Sequence, residues 1–255
     1  MPDPLGHPHV EALCDRQPYP LVMATVSGAH LYGFPSVDSD IDVRGIHVLP
    51  VDEVVGLRTG PETIEALEEP TEHNGRLELD LVTHDLRKFA TLLLRRNGYV
   101  LEQLLSPLVL RSSAIHEELV ALAPGCLTRH HAHHYLGFAA TQWKLFEKEQ
   151  PRRLKPLLYE YRVLLTGIHL MRTGVVEANL AVLNDEAGIA YLDDLIAQKR
   201  EAEQGTIPDT DVPRYEADCT RLRAELEAAR DTTHLPDAPT AGGALHDLVV
   251  RARLA

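Results

Sequence analysis

Val26-Ser27-Gly28-Ala29-His30-Leu31-Tyr32-Gly33-Phe34, followed shortly by Asp38-Ser39-Asp40-Ile41-Asp42-Val43, decides how this chain is read. An apolar run ends in a small-residue turn, and the next run opens with two aspartates one residue apart. Side chains alternate across a strand, so Asp40 and Asp42 would leave the same face, their Cα atoms about 6.5 Å apart. That spacing lets two carboxylates share a hard cation. A glycine turn presents backbone N–H groups that can cradle phosphate. Cradle plus carboxylate pair is the outline of a metal-dependent nucleotide site.

Working outward, Leu21–Val26 is short, apolar and partly β-branched, and is expected to be a buried strand. Asp40–Leu49 is expected to be the next, with Ile41 and Val43 on one face and Asp40, Asp42 and Arg44 on the other. The alternation changes phase at Gly45, through a bulge there or through burial of both faces. Pro50, Gly56, Gly60, Pro61, Pro70 and Gly75 mark residues 50–75 as a short helix near 51–55 and then an acidic loop. Glu78–Val82 is the third expected strand. It places Asp80 in an apolar-flanked run, where a buried, unpaired carboxylate is costly. Beside a metal pair it has a use, as general base for an attacking hydroxyl or as a third ligand. Two metal ions bridged by such carboxylates activate a nucleophile and stabilise a leaving pyrophosphate. A helix over Asp85–Arg96 follows, capped by Thr83 and ended by Gly98, then a short one from Tyr99 to Leu105.

Beyond about residue 110 the strand-like runs stop. Helices are expected from Ser113 to Ala123, over His130–Glu149, Lys155–Thr173, Gly188–Gln204 and Val212–Asp231, and over Ala244–Leu254. Lys155–Thr173 is the most apolar, with a wide stripe from Leu157 to Met171. The expected organisation is α+β: a small mixed-sheet domain over residues 1–110, then a helical domain over 111–255. The 255 residues carry a net charge of −13, which argues against a broad non-specific grip on nucleic acid. Three scattered cysteines give no disulfide framework or metal motif, no apolar run spans a membrane, and the expected location is cytoplasmic.

Ser27-Gly28-Ala29, then Ser39-Asp40-Ile41-Asp42-Val43, then Leu79-Asp80-Leu81 resemble the DNA polymerase β-type nucleotidyltransferase superfamily. The run from Ser27 to Val48 is most similar to its RlaP-like, RNA-repair-associated branch. The likeness continues through Leu79–Lys88 and Asn97–Glu102. It implies a polymerase β palm-like sheet domain, Asp40 and Asp42 as Mg²⁺ ligands (Mn²⁺ as a substitute), Asp80 as third catalytic carboxylate, and the Ser27–Ala29 turn as triphosphate cradle. Ala29 stands where the family has Ser, so one hydroxyl contact to phosphate is missing. The activity implied is transfer of a nucleotide from an NTP to an acceptor hydroxyl with release of pyrophosphate. An RNA end as acceptor rests on the branch alone. The alternatives are transfer to a small molecule or a protein, or a catalytically weakened nucleotide-binding regulatory module.

Other residues stand around this core reading. His30 lies in the turn, either against phosphate or packed within the protein. Arg44 shares the aspartates' strand face and is expected to pair with them structurally. Lys155, Tyr159 and Arg162 share one helical face at i,i+4 and i,i+3 spacing. Helical domains of the superfamily hold triphosphate or base from such a face; a salt-bridged surface is the other reading. The cluster His130, His131, His133 and His134 is expected to be a partly exposed helix start rather than a metal site, having no acid at metalloprotease spacing.

Overall fold

The structure is a computed structural model. It describes residues 3–72, 75–201 and 205–255, and of residues 71, 72, 75 and 76 the backbone alone. The expected end of a helix at Gln204 lies outside the described residues.

The front of the chain runs α1 (Pro8–Asp15), β1 (Leu21–Val26), α2 (Gly28–Tyr32), β2 (Ile41–His47), α3 (Asp52–Val55), β3 (Thr63–Glu68), β4 (Thr71–Glu72), β5 (Gly75–Arg76) and β6 (Leu79–Asp85). It continues with α4 (Leu86–Leu94), α5 (Gly98–Leu104), β7 (Val109–Arg111) and α6 (Ala114–Leu122). The rest is helical: α7 (His131–Lys148), α8 (Leu154–Thr173), α9 (Leu180–Ala187), α10 (Leu192–Glu201), α11 (Val212–Thr232) and α12 (Gly242–Leu254). By compactness the chain forms two units, residues 1–31, 40–126 and 239–255, and residues 32–39 with 127–238.

The first unit is built on a mixed five-stranded sheet of order β3-β6-β2-β1-β7. β2 and β6 run parallel, and their register pairs Asp42 with Asp80 and Arg44 with Val82. The other pairings are antiparallel. One face is apolar: Val10, Leu13 and Cys14 of α1 pack on Ala24, Val26, Ile41, Val43, Leu79 and Leu81. Alternation therefore sends Asp42, Arg44, Asp80 and Val82 to the opposite face.

Several expectations are corrected here. β3 occupies part of the expected acidic loop. It is an edge strand with Glu65 and Leu67 exposed, so its sequence TIEALE carries little of the apolar signal of a buried strand. β7, only three residues long, pairs with β1 at the expected boundary near residue 110, where no strand was expected. The register break lies in β1, between Leu21 and Met23, not at Gly45. Arg44, Gly45, Ile46 and His47 are all buried, so both faces are covered there. A Cβ on Gly45 would sit 2.8 Å from the Met23 carbonyl, which accounts for the glycine. Thr83 does not cap α4. It is buried in β6 with its hydroxyl 2.8 Å from His47 Nδ1, and Asp85 caps instead, accepting from the Arg87 N–H at 3.0 Å. Gly98 opens α5, capped by Asn97, rather than closing α4. Gly188, in the left-handed region, ends α9, which the sequence reading missed, and α10 begins only at Leu192.

The C-terminal helix returns to the first unit. α12 packs on α4 and α6. Arg253 Nη2 reaches both Asp85 oxygens at 2.6 Å, and its Nη1 donates to the Leu49 carbonyl. In the second unit α8 is the central helix, packed against α7, α9, α10 and α11. Leu157, Leu158, Tyr161, Leu164, Leu165, Ile168 and Met171 are all buried, as the stripe implied. The histidine cluster does open a helix, but His131 is fully buried against Thr128.

Candidate active site

β1 delivers Ser27 and Gly28 at its end, and β2 and β6 deliver the acids. Ser27 N–H donates to the Asp42 carbonyl at 2.8 Å, which fixes the turn beside the acidic strand. Gly28 has φ +60°, a conformation that costs an L side chain about 1–2 kcal/mol. A Cβ there would lie 1.9 Å from Asp42 Oδ2. The glycine is thus required twice, by its backbone and by the carboxylate pressed against it. The Ser27 hydroxyl is buried without a hydrogen-bond partner, and Ala29 is 8% exposed.

The parallel register sets Asp42 and Asp80 side by side. Arg44 joins them: its Nη2 donates to Asp42 Oδ1 at 2.7 Å and to Asp80 Oδ2 at 2.9 Å. Two ionised carboxylates at such range repel by about 3 kcal/mol in an effective dielectric of about 20, and a guanidinium between them reverses the sign. Nη1 donates to the Val43 and Asp80 carbonyls, and Nε to the Tyr99 hydroxyl at 3.1 Å. Burial works against the Arg44 charge, but Tyr99, Asp42 and Asp80 outweigh it and raise its pKa. The structural pairing expected of Arg44 is what the geometry contains. Tyr99 was missed as a site residue; it follows the Asn97 cap of α5, and nothing local in the sequence ties it to Arg44.

Asp40 directly precedes β2 and is exposed, so it heads the strand from the loop side. Among the described residues no three His, Cys, Asp or Glu side chains form a group able to hold a metal ion. His30 is pushed below its ordinary pKa by burial, partly offset by Asp3 and the Asp40 backbone. This shift favours the neutral imidazole, which offers an anion a hydrogen bond. Further along the site face, burial and then Lys88, His47 and Arg44 push His84 down to about 4.

Lys155, Tyr159 and Arg162 belong to α8, in the second unit. There the Arg162 guanidinium lies 3.9 Å from the Tyr32 ring centre, and Tyr159 meets Tyr32 and Phe34 edge-on. Residues 32–39, which lead from the glycine turn to Asp40, are held in that unit by Arg200 on the Gly33 carbonyl and by the buried Lys199 on the Ser36 hydroxyl at 3.1 Å.

A parallel strand pair carries register-matched aspartates, with a glycine turn against one of them. The chain belongs to the RlaP family, described as the RNA repair pathway DNA polymerase beta family, whose model matches residues 7–251. It is therefore a member of a nucleotidyltransferase family that is generally metal-dependent and uses NTPs. It is 31% identical over 188 residues to an uncharacterized protein of Methanocaldococcus jannaschii, a match covering 72% of this chain and 75% of that protein. A crystal structure of a nucleotidyltransferase-like protein from Exiguobacterium sibiricum aligns over 96% of this chain and 78% of its own, at 12% identity and a TM-score of 0.31. Among the described residues no helix is long and apolar enough to cross a membrane.

Proposed function

We propose that the protein is a Mg²⁺-dependent nucleotidyltransferase. It joins the nucleotide of an NTP to an acceptor hydroxyl, an RNA end, and releases pyrophosphate. The carrying observation is the Asp42–Asp80 pair in register, with the second oxygen of Asp42 against the Gly28 turn. Asp42 and Asp80 are hard oxygen donors already gathered around a cation, the Arg44 guanidinium, and this suits Mg²⁺ or Mn²⁺. With Asp40 they would hold the metal, which when bound supplies charge neutralisation for the α-phosphate displacement.

The chain's own residues divide the remaining work. The side chain of Asp80 is 35% exposed, open enough to receive the proton of the attacking hydroxyl. The start of α2 supplies the backbone N–H groups of Gly28, Ala29 and His30 toward the triphosphate, since the first N–H groups of a helix have no intrahelical acceptor, while that of Ser27 is held by the Asp42 carbonyl. All these residues fall within 1–110, the segment proposed as the nucleotidyltransferase domain; of the helical remainder over 111–255, α6 and α12 belong to the same compact unit as the sheet. The RNA acceptor rests on the family description.

Ala29 favours a second reading, a nucleotide-binding module with weakened turnover. The test of the first is Mg²⁺-dependent transfer of label from an α-labelled NTP to RNA, protein and small-molecule acceptors, with Asp42→Asn as control. Transfer abolished by Asp42→Asn supports the enzyme. NTP binding without transfer to any acceptor, with activity appearing in Ala29→Ser, supports the module.

A further inference from the structure

We infer that Arg44 is the positioning residue of the carboxylate pair, and that as a resident cation between Asp42 and Asp80 it sets how much metal the pair needs. This rests on Asp42 and Asp80 being metal ligands.

All five N–H donors of the guanidinium are engaged. They reach three elements: its own strand β2, the parallel neighbour β6, and Tyr99 on α5. Such a plane is fixed in position and rotation, unlike a surface arginine. Arg44 is 9% exposed, so water does not compete freely for these contacts. One oxygen of each aspartate is taken by the same nitrogen. The other oxygen of Asp42 is thereby turned toward Gly28. Arg44 thus both aims the acids and opposes a divalent ion approaching them.

These two effects have opposite signs on metal affinity and on turnover, which separates this role from one of mere support. A supporting residue lowers stability and leaves both untouched, or lowers both together. Arg44→Gln removes the charge and most of the fork. Arg44→Lys keeps the charge and loses the fork, because an ammonium cannot bridge five acceptors in one plane.

The experiment measures Mn²⁺ binding by electron paramagnetic resonance on the full chain, with and without a non-hydrolysable NTP, beside the Mg²⁺ dependence of label transfer. Arg44→Gln is expected to bind Mn²⁺ about tenfold more tightly, while turnover at saturating metal falls by about tenfold or more. Arg44→Lys is expected to bind Mn²⁺ within about threefold of the parent yet remain slow. Tyr99→Phe removes only the acceptor of Nε. It is expected to slow turnover with metal affinity unchanged, and it carries the test if circular dichroism shows Arg44→Gln unfolded. Equal or weaker Mn²⁺ binding by a folded Arg44→Gln, or full turnover in Tyr99→Phe, overturns the inference alone. A parent protein that binds no Mn²⁺ overturns the metal reading beneath it as well.

Discussion

Replacing Gly28 by Ala adds one carbon where there is no room for it. The built Cβ lies 1.9 Å from Asp42 Oδ2, and ordinary contact begins near 3.4 Å, so the carboxylate must retreat by about 1.5 Å. It cannot do so without loosening the 2.7 Å bond from Arg44 to its other oxygen. The residue at 28 also keeps φ +60°, at about 1–2 kcal/mol for alanine. In a chain of this size that lowers Tm by only about 2–8 °C, so the variant should fold. Activity should suffer far more, because a misplacement of about 1 Å at a reacting centre costs about 100-fold. The assay is Mg²⁺-dependent label transfer from an α-labelled NTP, with a thermal melt on the same sample. A Gly28→Ala protein that melts within a few degrees of the parent and transfers label at the parental rate would refute the placement of Asp42 in the chemistry.

Two further outcomes concern the first unit's stability. Arg253→Met leaves Asp85, 1% exposed, without its cation, and should cost about 3–5 kcal/mol by urea titration. Burial raises the Asp85 pKa, but Arg253 and the Leu49 and Arg87 N–H groups outweigh it and hold it below its usual value. The pair's contribution is therefore present above the unfolded carboxyl pKa and fades as pH falls through the folded one. A loss of under 1 kcal/mol in Arg253→Met would show that α12 is held by apolar contact alone. His84 is lowered from 6.5 to about 4, so the unfolded chain takes up its proton first. Stability should be full above pH 6.5 and fall between pH 6.5 and 4, and His84→Gln should flatten that slope in urea titrations. An unchanged slope would place the acid sensitivity elsewhere.

What could be read from the sequence tracks how local the underlying physics is. The apolar stripe of α8, its glycine cap at Gly174 and the Ser113 cap of α6 are encoded within a few residues, and all appear in the structure. β3 and β7 are edge strands whose apolar pattern is diluted by solvent on one side, so nothing in TIEALE or VLR distinguishes them from loop. The return of α12 to Asp85 joins residues 168 apart in sequence, and an arginine near a C-terminus carries no mark of its partner.

The candidate site divides along the same line. Asp40, Asp42 and the glycine turn lie within 15 residues of one another, and their alternation is visible directly. That Asp80 stands beside Asp42 depends on β2 and β6 pairing in parallel, and parallel pairing has no turn signal because the strands are joined by a long connection. Only its sequence motif suggested it. Arg44 illustrates the limit best. Its position two residues after Asp42 put it on the correct face, but one face permits several roles. The role is decided by Asp80 and Tyr99, 36 and 55 residues away in sequence. The carboxylates alone would repel, and Arg44 makes the pair a stable part of the sheet. The strength of this site as a metal centre therefore depends on how readily one fixed cation yields its place to another.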